Sequence, residues 1–262
     1  MTAPKVLITG ASSGIGAIYA DRFARRGHGL VLVARDAARM EALGNRLHAE
    51  TGVNIDILPA DLGKEAGVAS VEARLRDDAD IGVLVNNAGL SVGGPFETQS
   101  QADLSNLVAV NVVAVQRLAH AVAPRFVAAG TGTIINVGSV VGLVPEFGQA
   151  VYGATKAFVL FLSQGLAHEL GPKGVYVQAV LPAATATEIW SRAGADPAQI
   201  PPLMGVDALV DAALVGFDRR EPVTIPHLHD AAQWDTYQAA RVAMIPGFAQ
   251  TVPAPRYRAD LT

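Results

Sequence analysis

Seven short apolar runs, separated by longer amphipathic stretches, constrain this fold more than any other feature. Val6–Thr9, Gly29–Ala34, Asn54–Leu58, Ile81–Val85, Thr133–Val137, Val175–Leu181 and Val223–Ile225 are rich in Val, Ile and Leu, and most show little polar alternation. That is the pattern of strands buried on both faces, as in a parallel sheet. The stretches between them carry helical spacing. Met40, Leu43 and Leu47 repeat at i, i+3, i+7, with Asp36 placed as N-cap and Gly52 just past the end. Leu104, Leu107, Val108, Val115, Leu118 and Val122 form one apolar stripe across Asp103–Ala128, and Val206 through Phe217 carry another. Strand–helix alternation requires right-handed crossovers, so the expected fold is a single-domain α/β, doubly wound, mostly parallel sheet of about seven strands with helices on both faces.

No linker or repeat interrupts residues 1–262, and one domain is expected. The segment 188–205, rich in Pro, Gly and Ala, reads as a mobile loop beside the substrate. The tail 226–262 is less regular, with a helix expected over Asp230–Met244 and an extended end over Pro246–Thr262.

Composition narrows the function. Half of the residues are hydrophobic and 17% are charged, which suits a large core and excludes a disordered chain. A net charge of −4 gives no general attraction to nucleic acid. The absence of cysteine excludes disulfides, thiolate metal sites and a cysteine nucleophile. Lys5–Ile8 runs straight into a glycine turn, with no leader-like segment before it, and no apolar run approaches the ~20 residues of a bilayer helix. A cytoplasmic protein without membrane partners is expected.

The turn Thr9-Gly10-Ala11-Ser12-Ser13-Gly14-Ile15-Gly16 follows the first strand and opens a helix. Glycines there permit a tight turn, close approach of backbone to a ligand, and close helix–strand packing. Backbone N–H groups of Ser12, Ser13, Gly14 and Ile15 then face a pyrophosphate at the helix N-terminus. The second strand ends Ala34-Arg35-Asp36. Ala34 stands where an acid would accept from a ribose 2′-hydroxyl, and Arg35 can meet a 2′-phosphate. Asp36 is better explained as the helix cap.

Tyr152 and Lys156 lie at i, i+4 on one face of a helical stretch. An ammonium one turn away favours the phenolate, making the pair a candidate general acid/base. Ser139 follows a buried strand at the carboxyl edge of the sheet, 13 residues before Tyr152. Asn111 is a lone amide on an apolar stripe, which is equally the signature of a satisfied core amide.

Together these motifs resemble the short-chain dehydrogenase/reductase family. The matching segments are Thr9–Gly16, Asp61-Leu62, Asn86-Asn87-Ala88-Gly89, Asn111, Ser139, Tyr152 through Lys156, and Pro182 through Thr187, spanning about Lys5 to Ile225. The resemblance implies a tetrad of Asn111, Ser139, Tyr152 and Lys156. Tyr152 would transfer the proton, Ser139 would hold the substrate oxygen, Lys156 would bind the nicotinamide ribose, and Asn111 would hold a relay water. Asp61 and Leu62 would meet adenine, Asn87, Ala88 and Gly89 the adenosine ribose, and Pro182, Thr185 and Thr187 the nicotinamide end. Ala183 replaces the glycine that the family usually has after the proline. A homotetramer or dimer is implied, with Asp103–Ala128 and Val151–Leu170 at the interface.

The expected reaction interconverts a ketone or aldehyde and an alcohol, with NADP(H) preferred and NAD(H) second. Leu90, Val141, Val144, Phe147, Gln149 and Trp190 are the candidate substrate pocket, whose apolar character favours a small hydrophobic or aromatic carbonyl compound. Two rival classes share the fold. One is a non-redox lyase or isomerase. The other is a nucleotide-binding sensor without turnover, whose mark would be loss of Tyr152 or Lys156; both are present. His227-x-His229 lacks a third ligand at a recognisable spacing, so no metal site is assigned. No nucleophile elbow surrounds Ser139. Arg25-Arg26 and Arg219-Arg220 read as solvated helix ends.

Overall fold

In the computed structural model, which describes residues 3–193 and 202–258, the apolar runs become strands of one parallel sheet. They are β1 (Lys5–Thr9), β2 (Leu30–Ala34), β3 (Ile55–Pro59), β4 (Ile81–Asn86), β5 (Gly132–Val137), β6 (Val175–Val180) and β7 (Val223–Thr224). Their order is β3-β2-β1-β4-β5-β6-β7, every neighbouring pair parallel. Successive side chains leave a strand on opposite faces. Leu7, Val31 and Val33 therefore enter one core, while Val6, Ile8, Leu30 and Leu32 enter the other. The first is closed by α3 (Glu65–Asp77) and α5 (Val115–Ala129), the second by α1 (Gly14–Arg25), α2 (Ala37–Thr51) and α8 (Val206–Asp218).

The caps of α2 follow the sequence signals. Asp36 accepts from the Arg39 backbone N–H at 3.0 Å, and Gly52 adopts φ +76° beyond the last turn. The single helix expected over Asp103–Ala128 is α4 (Gln101–Val108) and α5, joined by a π-helical turn over Ala109–Ala114. By length and composition alone, 101–129 and 150–173 could cross a membrane. In the fold, Leu118, Val122 and Phe126 of α5 are fully packed in the first core. The arginines read as solvated helix ends include ion-paired ones: Arg25 meets the buried Asp21 at 2.8 Å and Arg26 meets Asp218 at 2.8 Å.

The segment 188–205 begins with α7 (Ile189–Arg192), and Met204 bridges back to Thr185 in β fashion. The rest of the expected mobile loop, 194–201, lies outside the described residues.

Contacts group the chain into the units Met1–Pro226 and His227–Thr262. The second unit contains α9 (Ala231–Ala243), capped by Asp230, which accepts from Ala232 N–H at 3.0 Å. Beyond it the end is not uniformly extended. Ile245–Ala249 and Pro255–Tyr257 are 3-10 turns. Proline near the start of each turn fixes φ near the helical value, where the missing N–H costs no bond.

Candidate active site

The strand order reverses between β1 and β4, and in such sheets the crevice at the carboxyl ends of those strands accepts ligands. The two ends are laced together there. Thr9 Oγ1 accepts from the N–H groups of Asn87 and Ala88, each at 3.0 Å, and Asn87 Nδ2 donates to the Thr9 carbonyl at 2.8 Å. The glycine turn lies above. Gly10 and Gly14 have φ +68° and +54°, in the left-handed region that glycine tolerates. A Cβ on Gly16 would sit 2.3 Å from the Gly10 carbonyl oxygen, so the close approach of helix to strand requires glycine there. Ser13 ends the turn as N-cap of α1, its hydroxyl uncommitted to capping, and the first helical turn has no acid. This open N-terminus suits an anion.

On either side stand the other expected cofactor residues. Arg35 is exposed and makes no hydrogen bond or ion pair with any described residue. Asp61 Oδ1 accepts from Gly63 N–H at 3.0 Å, which fixes the turn in which the Leu62 side chain is buried. Thr187 covers the glycine turn, its Cγ2 3.3 Å from where a Gly14 Cβ would lie. The Thr185 hydroxyl turns inward and donates to the Ala183 carbonyl at 3.0 Å. Pro182 is buried, and its carbonyl accepts from Ser139 Oγ at 3.2 Å.

The four expected catalytic residues converge beside this groove. The helix α6 (Ala150–Leu170) carries Tyr152 and Lys156. Lys156 Nζ lies 5.8 Å from the centre of the Tyr152 ring and donates to the Val137 carbonyl at 2.9 Å. The Ser139 hydroxyl faces the Tyr152 phenol closely enough to favour its ionised form. Burial pushes the Tyr152 phenol up to about 12, against the lowering effect of the Ser139 hydroxyl. Burial also brings the Lys156 ammonium down to about 8. In the protein alone, desolvation therefore outweighs the lowering of the phenol by lysine that the sequence suggested. Near neutral pH the site holds a protonated phenol beside a lysine that still carries most of its charge.

Asn111 sits in the π-helical turn, an irregularity frequent at functional sites. Its amide is fully engaged: Oδ1 accepts from Leu90 N–H at 2.8 Å, and Nδ2 donates to the Leu90 carbonyl at 2.9 Å and to Thr155 Oγ1 at 3.1 Å. Asn111 is thus a satisfied buried amide that also clamps the loop after β4 to the catalytic helix. A Cβ on Gly89 would stand 3.5 Å from both Asn111 Oδ1 and Lys156 Nζ, so backbone passes close by both groups.

Of the pocket candidates, Leu90 is held by Asn111, and Val141 N–H donates to Ser139 Oγ at 3.2 Å. Trp190 Nε1 donates to the Thr185 carbonyl at 2.8 Å, anchoring α7. Gln149 caps α6 from the backbone, Val144 is half-buried, and Phe147 is 56% exposed at the rim. A Cβ on Gly93 would collide with the Ala193 carbonyl, so the loops after β4 and β6 touch.

Three contributors were given no role by the sequence reading. Thr155 accepts from Asn111 and donates to the Tyr152 carbonyl at 2.7 Å, tying two tetrad members together. Asn86 Nδ2 donates to Asn136 Oδ1 at 3.0 Å, and Asn136 Nδ2 to Ser163 Oγ at 2.9 Å, which joins β4, β5 and α6 under the site. Arg39 donates to both oxygens of Glu188 at 2.9 and 3.1 Å, linking α2 to the segment that covers the glycine turn. The polar residues Asn86 and Asn136 at the ends of apolar strands were the available signal for the second.

Comparison with known proteins agrees with this geometry. The family model described as short chain dehydrogenase matches residues 4–198. A short-chain dehydrogenase from Sphingobium yanoikuyae, solved in complex with NADPH, superposes with a TM-score of 0.96 at 62% identity, covering 97% of this chain and all of that one. A bulky-bulky ketone specific alcohol dehydrogenase from Comamonas testosteroni superposes with a TM-score of 0.92 at 54% identity, covering 99% of this chain and all of that one. The very-long-chain 3-oxoacyl-CoA reductase-B of Danio rerio is 35% identical over 187 residues, 70% of this chain and 60% of that protein. The chain thus spans about 60% of the length of that curated relative.

Proposed function

The chain belongs to the short-chain dehydrogenase family, and from that premise we propose that it interconverts a largely apolar ketone and its secondary alcohol with NADP(H). The observation that carries this reading is the convergence of Tyr152, Ser139 and Lys156 beside an open helix N-terminus.

The residues fit the cofactor. The Gly10–Gly16 turn would receive the pyrophosphate, with Thr187 over it. Asp61 and Leu62 would flank adenine, Asn87, Ala88 and Gly89 the adjoining ribose, and Lys156 the nicotinamide ribose. Arg35, exposed and unpaired among the described residues, would meet a 2′-phosphate, with no acid at Ala34 to repel it. NADP(H) is therefore favoured over NAD(H), consistent with the NADPH complex of the Sphingobium protein. When bound, the nicotinamide supplies or accepts the hydride.

The protein handles the proton and the orientation. In reduction, the Tyr152 hydroxyl donates to the substrate oxygen while Ser139 Oγ, turning from the Pro182 carbonyl, holds the same oxygen. Lys156 stabilises the phenolate that forms, and its remaining N–H donors are available to the ribose. Asn111 and Thr155 position the loop and helix that carry these groups.

The substrate side is apolar. Leu90, Val141, Val144 and Trp190 would line it, and Phe147 and Phe96 leave more than half of their surface to solvent. A ketone with bulky apolar substituents suits this lining, and the Comamonas relative is named as specific for bulky-bulky ketones. Assembly through α4–α5 and α6 is part of the same reading. Phe161 of α6 is 78% exposed, an apolar patch that a second copy would cover in a dimer or tetramer. A cytoplasmic pool of NADP(H) would serve the reaction.

The test is NADPH consumption with a panel of apolar ketones by wild type and Tyr152→Phe. Loss of at least about 100-fold in turnover with unchanged NADPH affinity supports the reading. Absence of turnover by wild type with any carbonyl compound would favour a lyase, an isomerase or a sensor.

A further inference from the structure

The chain that leaves β6 crosses the whole crevice. Beyond β5, the Pro182 carbonyl accepts from Val140 N–H at 3.0 Å and from Ser139 Oγ at 3.2 Å. Beyond β1, Thr187 lies on the glycine turn, its Cγ2 3.3 Å from where a Gly14 Cβ would stand. Beyond β2, both oxygens of Glu188 accept from Arg39, which belongs to the first turn of α2. In the sheet, β2 and β6 are separated by β1, β4 and β5. Those four strand spacings amount to about 19 Å. Leu181–Glu188 has the reach for that distance, at about 3.3 Å per extended residue. Because all the strands are parallel, their carboxyl ends share one edge, and a contact between residues following β2 and β6 has to pass over the crevice there. The open N-terminus of α1 therefore lies beneath a bridge held at both ends.

The two ends are held differently. At the near end Pro182 and Thr185 are buried. The far end is an ion pair whose side chains, Arg39 and Glu188, are 51% and 44% exposed. Each partner also has a counter-ion on its own element. Asp36 Oδ2 lies 3.4 Å from Arg39 Nε, and Arg192, one helical turn on, pairs with Glu188. When Arg39 and Glu188 part, neither charge is left alone. An exposed pair with local substitutes opens at little cost, whereas a buried pair would strand two desolvated charges.

We infer that Arg39 and Glu188 form an ionic strap over the cofactor groove, and that its opening sets how fast the dinucleotide leaves. The inference rests on the reading above that the glycine turn receives the pyrophosphate, and it adds a control on that site. Both are positioning residues. They act on cofactor exchange through the segment they fasten, and so on NADP(H) and NAD(H) alike.

The experiment measures exit of NADPH and of NADH, by their fluorescence, after rapid mixing of the loaded enzyme with excess oxidised cofactor. Glu188→Gln and Arg39→Gln should each speed exit by about two- to fivefold for both dinucleotides, the scale of one exposed ion pair. The double variant should be no faster than the faster single one, because the two residues form one contact. At ~1 M salt, where screening acts within about 3 Å, wild type and variants should converge. A second arm closes the strap. The chain has no cysteine, so Arg39→Cys/Glu188→Cys carries two thiols and no others. Bridging them with a bis-maleimide after loading should slow exit relative to the same variant unbridged. Exit at the wild-type rate in the single variants, acceleration confined to NADPH, or a bridge without effect overturns the strap. If wild type binds neither dinucleotide, it is the reading of the groove that fails.

Discussion

Lys156 offers a test that needs no substrate. Its side chain is buried, and desolvation lowers its ammonium from 10.5 to about 8. In the unfolded chain the same group titrates near its ordinary value. Between about pH 8 and 10.5, the unfolded state therefore binds a proton that the folded state has released. Stability rises with pH wherever the unfolded state binds more protons. The penalty of burying the charge is complete below pH 8 and relieved above 10.5. At 1.36 kcal/mol per pH unit, the gain across that window is about 3 kcal/mol. The perturbation is Lys156→Met, which keeps the stem and removes the titrating group. Denaturant unfolding of the protein without cofactor, from pH 7 to 10.5, gives the stability of wild type relative to the variant. That difference should move toward wild type by about 3 kcal/mol, most of it above pH 8. Groups that titrate in both proteins cancel. A flat difference would mean that Lys156 is as hydrated as a surface lysine. A difference moving the other way would mean that an acidic partner holds its charge in the folded state.

Other expectations follow from single contacts. Arg35→Ala should weaken NADPH by roughly 10- to 100-fold, the scale of one charge-assisted contact, while NADH changes little; equal weakening in a binding titration would make Arg35 an adenine contact instead. Glu188→Gln releases Arg39 from the segment over the glycine turn, and because exposed pairs contribute at most about 1 kcal/mol, Kd should rise up to about fivefold for both cofactors alike. A rise confined to NADPH in the same titration would contradict that. Tyr19 is buried with its hydroxyl bonded to no described residue, so Tyr19→Phe should leave stability unchanged or raise it by up to about 1 kcal/mol; a loss of that size in thermal unfolding would show a partner.

The sequence alone determined the architecture and which residues would carry the proposed chemistry. Strands buried on both faces need no alternation, so seven apolar runs were legible as a parallel sheet, each within a residue or two of its observed bounds. The glycine turn and the Tyr152–Lys156 spacing were legible because their geometry is local: left-handed φ at Gly10 and Gly14, one helical turn between the side chains. What the tertiary structure decided lies between segments distant in sequence. Asn111 could be read as core amide or functional residue, and only the fold shows that its amide bonds Leu90 and Thr155, tying the loop after β4 to α6. The lateral register of β4 and β5 pairs Asn86 with Asn136, 50 positions apart. Arg39 finds Glu188 across 149 positions. Desolvation of Tyr152 and Lys156, which pushes the phenol up and the ammonium down, depends on everything packed around them. Periodicity encodes which face of an element is apolar. It does not encode which polar group on another element that face will meet, because that follows from how the crossovers stack the sheet.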